Sequence, residues 1–470
     1  MLGILNISLS VFGIIGTIIC CGISIIITRN VSINENYGNK NKNGRLIYNS
    51  LLITTSLSII SSIIIILSKN TLSNILSGYQ SYLLLVCMLP ALLSNAVYTP
   101  FRAYLQGKEL YFESSLVELI EQGLRIIICF GVFIILKDLD PIYSPVIAMS
   151  IAGILSSIIG ISYFKKNNGK VIFGKPRIKK IISQSVPITL VKTLSMLVIP
   201  IVTIILPARL ISCGYTSEEA LSQLGIVTGM TLPLLSVPGT IIGSLATALI
   251  PQIAILNENK NKQKISNQIS NSINFTITST MIFVPLFIAL GKPICELIFN
   301  NTIAGNLLSK GSILMLPMGL NQITTTILNS MGKEKSTCTY YMISTIFMTI
   351  CVLLLPNIVG IETILWTIGV NTTIVSLLNI IKIKQELKQN IKLSKTLSIS
   401  LILTIPITLL IQYSHNILSL ITHNIINLGI CVIVGSVATI LLYYTFGIIE
   451  TTHLDILKKS NKKILNKKSI

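Results

Sequence analysis

The sequence predicts an all-α polytopic membrane protein of about thirteen transmembrane helices. Three observations predict it. Of the 470 residues, 51% are hydrophobic and only 11% are charged, against roughly 25% charged in a soluble globular domain. Apolar runs of the roughly 20 residues that a membrane helix needs recur along the whole chain. The basic residues also alternate from one side of those runs to the other. Soluble enzymes, disordered tails and disulfide-stapled secreted domains are disfavoured on composition alone.

The runs lie at about 4–28, 46–68, 80–105, 115–136, 142–164, 183–207, 223–253, 268–290, 307–330, 338–360, 361–382, 396–413 and 425–449. No basic residue precedes the first, so MLGILNISLS does not read as a signal peptide. The run 223–253 contains Pro233 and Pro238, which suggests a bent helix, either a static kink or a hinge. The run 361–382 is the weakest, because almost no loop separates it from its predecessor. Ser, Thr and Asn within the runs suit hydrogen bonding between membrane helices. The connections are too short to hold a soluble domain.

The formal net charge is +20, from 36 Lys+Arg against 16 Asp+Glu. Of the 36, 29 fall on one set of alternate connections and the tail, from Arg29 to Lys468. Five fall on the opposite set: Lys69, Lys137, Arg209, Lys292 and Lys310. This is a positive-inside distribution, and it places the C-terminus in the cytoplasm. A nucleic-acid partner is rejected, because the charge is spread over many inner-side segments with no folded domain to carry it.

Gly107-Lys108-Glu109 recurs as Gly332-Lys333-Glu334, an offset of 225. The same shift carries the first five runs onto the seventh to eleventh, as in transporters built from internal repeats. The expected organisation is a first lobe of five helices (1–164), a linker (165–182), a second lobe of six (183–382), two further helices (383–449) and a basic tail (450–470). The partner of run 183–207 would lie ahead of Met1, so the first lobe is expected to lack its first helix. A start codon placed too far downstream, a truncation and gene decay each account for that.

Two basic residues fall inside runs, Arg125 and Lys192. Charges at that depth are costly and usually face a partner or a cavity. Glu118, Glu121 and Arg125 share one helix face, and Glu121–Arg125 is an acid-to-base pair four residues apart. They read either as a self-neutralising pair docking the helix or as a cavity wall with Arg125 free to meet an anion. Lys192 has no acid in its own helix and reads as a cavity residue or as a snorkelling side chain. Arg102 closes run 80–105 as an inner-side anchor or as a further cavity residue.

The nine Cys and three His show no metal-ligand spacing, and no Walker A, GxSxG or HExxH motif occurs. Neither a catalytic nor an ATP-driven reading is supported, and no metal or other cofactor is expected. Cys213 and Cys295 lie near the outer side, where a bridge between them is conceivable.

Residues 101–125, FRAYLQGKELYFESSLVELIEQGLR, resemble a segment of the stage V sporulation protein B family: Arg102, Tyr104, Gln106, Gly107, Glu121, Gln122 and Arg125 fall on its positions, with Ala103 for the usual Gly. The stretch 213–251 resembles a second segment of that family. The resemblance implies the polysaccharide-type branch of the multidrug/oligosaccharidyl-lipid/polysaccharide exporter superfamily. Fourteen helices, two six-helix lobes in a V and alternating access follow from it. It also implies an anionic lipid-linked sugar as substrate, in the bilayer of a bacterial cell membrane, with a role in spore cortex peptidoglycan. Arg102, Glu118, Glu121, Gln122, Arg125 and Lys192 are then the candidate substrate residues, and Pro233 and Pro238 the candidate hinges. A cation-coupled multidrug exporter of the same superfamily is the rival reading. A non-transporting membrane scaffold for envelope synthesis is the third. The coupling ion is undefined.

Overall fold

The computed structural model describes residues 2–75, 79–135, 140–174, 178–259, 261–387, 394–419 and 424–448. The tail 450–470 lies outside them. The first seven helices are α1 (Leu2–Asn36), α2 (Lys40–Leu67), α3 (Lys69–Ile75), α4 (Tyr79–Cys87), α5 (Leu89–Gly107), α6 (Tyr111–Ile135) and α7 (Tyr143–Lys166). Then follow α8 (Ile178–Ser212), α9 (Ser217–Ile226), a π-helical turn Val227–Thr231, α10 (Leu232–Leu235), α11 (Val237–Glu258) and α12 (Lys262–Phe299). α13 (Thr302–Gly311), α14 (Met315–Ser330), α15 (Glu334–Leu354), α16 (Pro356–Val359), α17 (Thr363–Leu387), α18 (Ser394–Leu418) and α19 (Asn424–Thr445) complete the chain.

The all-α class holds among the described residues, and eleven helices, counting bent ones once, are long and apolar enough to cross a membrane. This is a multi-pass membrane protein. α6 and α8 occupy the two remaining expected runs. The junction at 360 needs no loop because Gly360 turns the chain at φ 55°, a left-handed conformation that glycine adopts without penalty.

The helices repeat element by element. α1 and α11 end 222 residues apart, at Asn36 and Glu258, and α2 and α12 start 222 apart, at Lys40 and Lys262. α6 and α15 start 223 apart, at Tyr111 and Glu334, and α7 and α17 start 220 apart. The offset of 225 is therefore corrected. The two Gly-Lys-Glu tripeptides sit at different positions of equivalent turns: the positive φ falls on Glu109 in one (59°) and on Gly332 in the other (78°).

By compactness the chain divides into two units. The first comprises Met1–Ile201, Ala246–Ile265 and Thr325–Ile343. α5 is its centre, packed on α1, α2 and α7, with 14 of its 19 residues buried. Polar and apolar faces are inverted relative to a soluble bundle. α2 buries Ser50, Thr54, Ser58 and Ser62, and exposes Ile59, Ile60, Ile63, Ile64 and Leu67. Small residues admit close helix approach, and lipid receives the apolar ridge. α7 does the same towards α4 and α5: Ser150 donates to Cys87 O of α4 at 2.9 Å and Ser157 to Ser94 O of α5 at 3.0 Å. A Cβ on Gly160 would overlap the Tyr98 ring. The motif residues explain themselves here. Tyr104 packs edge-on against Phe164, ring centroids 4.8 Å apart, and a Cβ on Gly107 would lie 2.8 Å from Thr28 O.

The second unit comprises Val202–Leu245, Ser266–Thr324 and Ser344–Ile470. α9 opens with a capping box between Thr216 and Glu219, whose hydrogen bonds from Thr216 hold the Glu219 carboxyl below its usual range. Pro233 and Pro238 each sit in the first turn of a helix, α10 and α11, with a break at Ser236 between them and the π turn just before. Proline is tolerated in a first turn, so the expected bent helix is a segmented one. α18 and α19 pack together, and Tyr443 of α19 donates to Met281 O of α12 at 3.5 Å. The two outer cysteines are not bridged: Cys213 Sγ lies 2.8 Å from Asn357 Oδ1, and Cys295 is a buried free thiol.

Candidate functional site

Within the first unit, α1, α5, α6 and α7 enclose a cavity of about 280 Å³. Arg102 of α5 and Glu118, Glu121, Gln122 and Arg125 of α6 line it, with Tyr98 and Asn95 one and two turns before Arg102. α6 places its charges there for a simple reason. It buries few side chains against its neighbours and turns Leu119, Ile126, Ile127 and Phe130 outward, so the opposite, charged face meets α5 and α7.

The charges pair. Glu121 accepts from Arg125 Nη2 at 2.8 Å along α6, and Glu118 crosses to Arg102 of α5. Glu118, Glu121 and Arg125 do share one face, but their pairing is split between two helices. Two guanidiniums and two carboxylates leave the cavity formally neutral. The Nε atoms of Arg102 and Arg125 and the Tyr98 hydroxyl are buried without a hydrogen-bond partner. Five of the six candidate substrate residues therefore stand together. Lys192 does not join them: it is an exposed residue of α8 whose charge reaches Cys21 of α1.

Two further features emerge from the fold. Tyr98 lies four residues before Arg102, so helical spacing places the two on one face, although a tyrosine carries no charge to mark it at that depth. Arg29, an inner-side loop charge by sequence, is instead a helix residue. It lies on α1, 7% exposed, and pairs with Glu334 while donating to Asn329 O at 3.0 Å.

Residues 2–257 match the family described as polysaccharide biosynthesis protein. The chain belongs to this family. The uncharacterized membrane protein YabM of Bacillus subtilis (strain 168) is 33% identical over 188 residues, which is 35% of either chain. The match thus spans about a third of that relative's length. Among solved structures, the Vibrio cholerae MATE transporter VcmN in its bent form is similar with a TM-score of 0.70 at 16% identity, over 82% of this chain and 89% of that one. The eukaryotic MATE transporter AtDTX14 follows with a TM-score of 0.69 at 12% identity, over 85% and 90%. At such identities the likeness is one of fold. This polysaccharide biosynthesis family member thus has the fold of MATE transporters.

Proposed function

We propose that this protein carries a lipid-linked, anionic cell-envelope precursor of peptidoglycan or polysaccharide type across a bacterial cell membrane, C-terminus inside, by alternating access. The observation that carries the reading is the polar cavity built into an apolar bundle. A sugar with its pyrophosphate cannot cross hydrocarbon unaided, since every buried polar group needs a partner. Arg102, Glu118, Glu121, Gln122 and Arg125 offer partners to the polar head group, and Lys192 offers a separate positive charge. The segmented helix at Pro233 and Pro238 supplies a place to bend. The family's description supports an envelope polysaccharide role, and the resemblance of residues 101–125 to the stage V sporulation protein B family supports the spore cortex.

The test is cortex synthesis in a strain carrying Arg125→Ala or Lys192→Ala at normal expression. Arg125→Ala should lose cortex and Lys192→Ala should form it more slowly; normal cortex in both contradicts the reading. One observation favours a second reading, a cation-coupled multidrug exporter: Glu118 and Glu121 face the cavity in a MATE-like fold. Ethidium efflux that depends on these two carboxylates would support it.

A further inference from the structure

We infer that Tyr98 selects what enters the α1–α5–α6–α7 cavity, and that the cavity takes one uncharged sugar ring of the carried molecule; the inference rests on reading the protein as a carrier of lipid-linked sugars. Tyr98 is 4% exposed. Its ring is seated against Gly160, where a Cβ would displace it, and its hydroxyl has no hydrogen-bond partner. Arg102, Glu118 and Glu121 lie within its electrostatic reach. Buried hydroxyls are rarely left unpaired, so a group retained there calls for a partner that arrives from outside the chain.

The other polar groups show what that partner is. The serine hydroxyls of the lining are spent: Ser94 donates to Ala91 O, Ser156 to Gly153 O and Ser157 to Ser94 O. Asn95 Oδ1 accepts from Thr99 at 3.2 Å. What remains unengaged and buried is the Tyr98 hydroxyl, which can donate, and the Nε–H donors of Arg102 and Arg125. The unmet demand is for acceptors, which a hydroxylated or N-acetylated ring supplies and an organic cation does not. The pairs Arg102–Glu118 and Arg125–Glu121 cancel in charge. A phosphate would bring uncompensated charge into a formally neutral site whose two guanidiniums are already paired, so the ring enters and the pyrophosphate stays outside. The cavity, at about 280 Å³, falls below the roughly 300–1,000 Å³ of pockets for drug-sized ligands, which suits a single ring.

The experiment is ligand-observed NMR and thermal unfolding on the purified full chain in detergent. The probes are the methyl glycoside of N-acetylglucosamine, N-acetylglucosamine 1-phosphate and ethidium. The neutral glycoside should bind best, and Tyr98→Phe should weaken it about tenfold, the worth of one good hydrogen bond. The unfolding temperature should stay level or rise, because the variant removes an unpaired buried hydroxyl. Equal glycoside binding by wild type and Tyr98→Phe overturns the inference, as does no glycoside binding at all. A clear drop in unfolding temperature overturns it too, since the hydroxyl would then have a structural partner. Preference for the 1-phosphate or for ethidium does the same. Glycoside binding that needs Tyr98, in a protein that fails to translocate lipid-linked sugar, would sink the carrier reading and leave the cavity assignment standing.

Discussion

Arg29 of α1 and Glu334, the first residue of α15, form a buried ion pair across 305 positions of sequence. The turn between α14 and α15 is shaped around it. Gly332 takes φ 78°, and a Cβ there would lie 3.5 Å from Arg29 Nη1. Thr337 ties Asn329 Oδ1 at 2.9 Å, which leaves Asn329 O directed at the guanidinium. The pseudo-equivalent of Glu334 in the first copy of the repeat is Tyr111, and it too reaches the other copy, donating to Ala248 O at 3.2 Å.

Removing one partner of a buried pair strands the other charge, at a cost of about 3–5 kcal/mol, whereas replacing both with apolar residues is far milder. Arg29→Ala and Glu334→Ala should each lower the unfolding temperature in detergent sharply. Arg29→Met combined with Glu334→Leu should recover most of the loss. Equal losses in single and double variants would show that the pair is not the source of the stability.

Three glycines separate packing from propensity. A Cβ on Gly22 of α1 would overlap Ser185 O, and one on Gly160 of α7 the Tyr98 ring, but around Gly123 of α6 the space is open. Gly22→Ala and Gly160→Ala should destabilise by about 1–3 kcal/mol. Gly123→Ala should be neutral or stabilise by about 0.5–1 kcal/mol, the helix-interior cost of glycine. Thermal unfolding of the three variants side by side is the measurement.

The membrane-spanning helices were legible in the sequence because they are long apolar runs of about the length a bilayer requires; short ones such as α10 and α16 were not. The cavity was legible in part: Glu118, Glu121 and Arg125 stand at helical spacing, so one face collects them. Arg102 meeting Glu118 was not, since it depends on how α5 packs on α6. Nor was Arg29–Glu334, because pairing across 305 positions is set by tertiary packing. The repeat was legible, but its register was not, because a tripeptide match ignores which residue of a turn carries the positive φ.

The two basic candidates should separate by assay. Arg125 lines the cavity and Lys192 does not. Arg125→Ala should abolish both glycoside binding and translocation. Lys192→Ala should bind the glycoside as wild type does, yet translocate lipid-linked sugar several-fold more slowly. Lost glycoside binding in Lys192→Ala would place that lysine in the cavity after all.

The charge alternation predicts a cytoplasmic C-terminus. Twenty-nine of 36 basic residues fall on one side by sequence, the tail included. A fluorescent protein fused after Ile470 should light up, and alkaline phosphatase fused there should be inactive. The reverse pattern would invert the topology.

The most direct test of the central claim is reconstitution of the full chain in vesicles with a fluorescent lipid-linked sugar in one leaflet and ethidium in a parallel arm. The wild type should translocate the lipid-linked sugar, Arg125→Ala should not, and neither should transport ethidium. Ethidium transport dependent on Glu118 and Glu121, with the lipid-linked sugar left in its original leaflet, would contradict it.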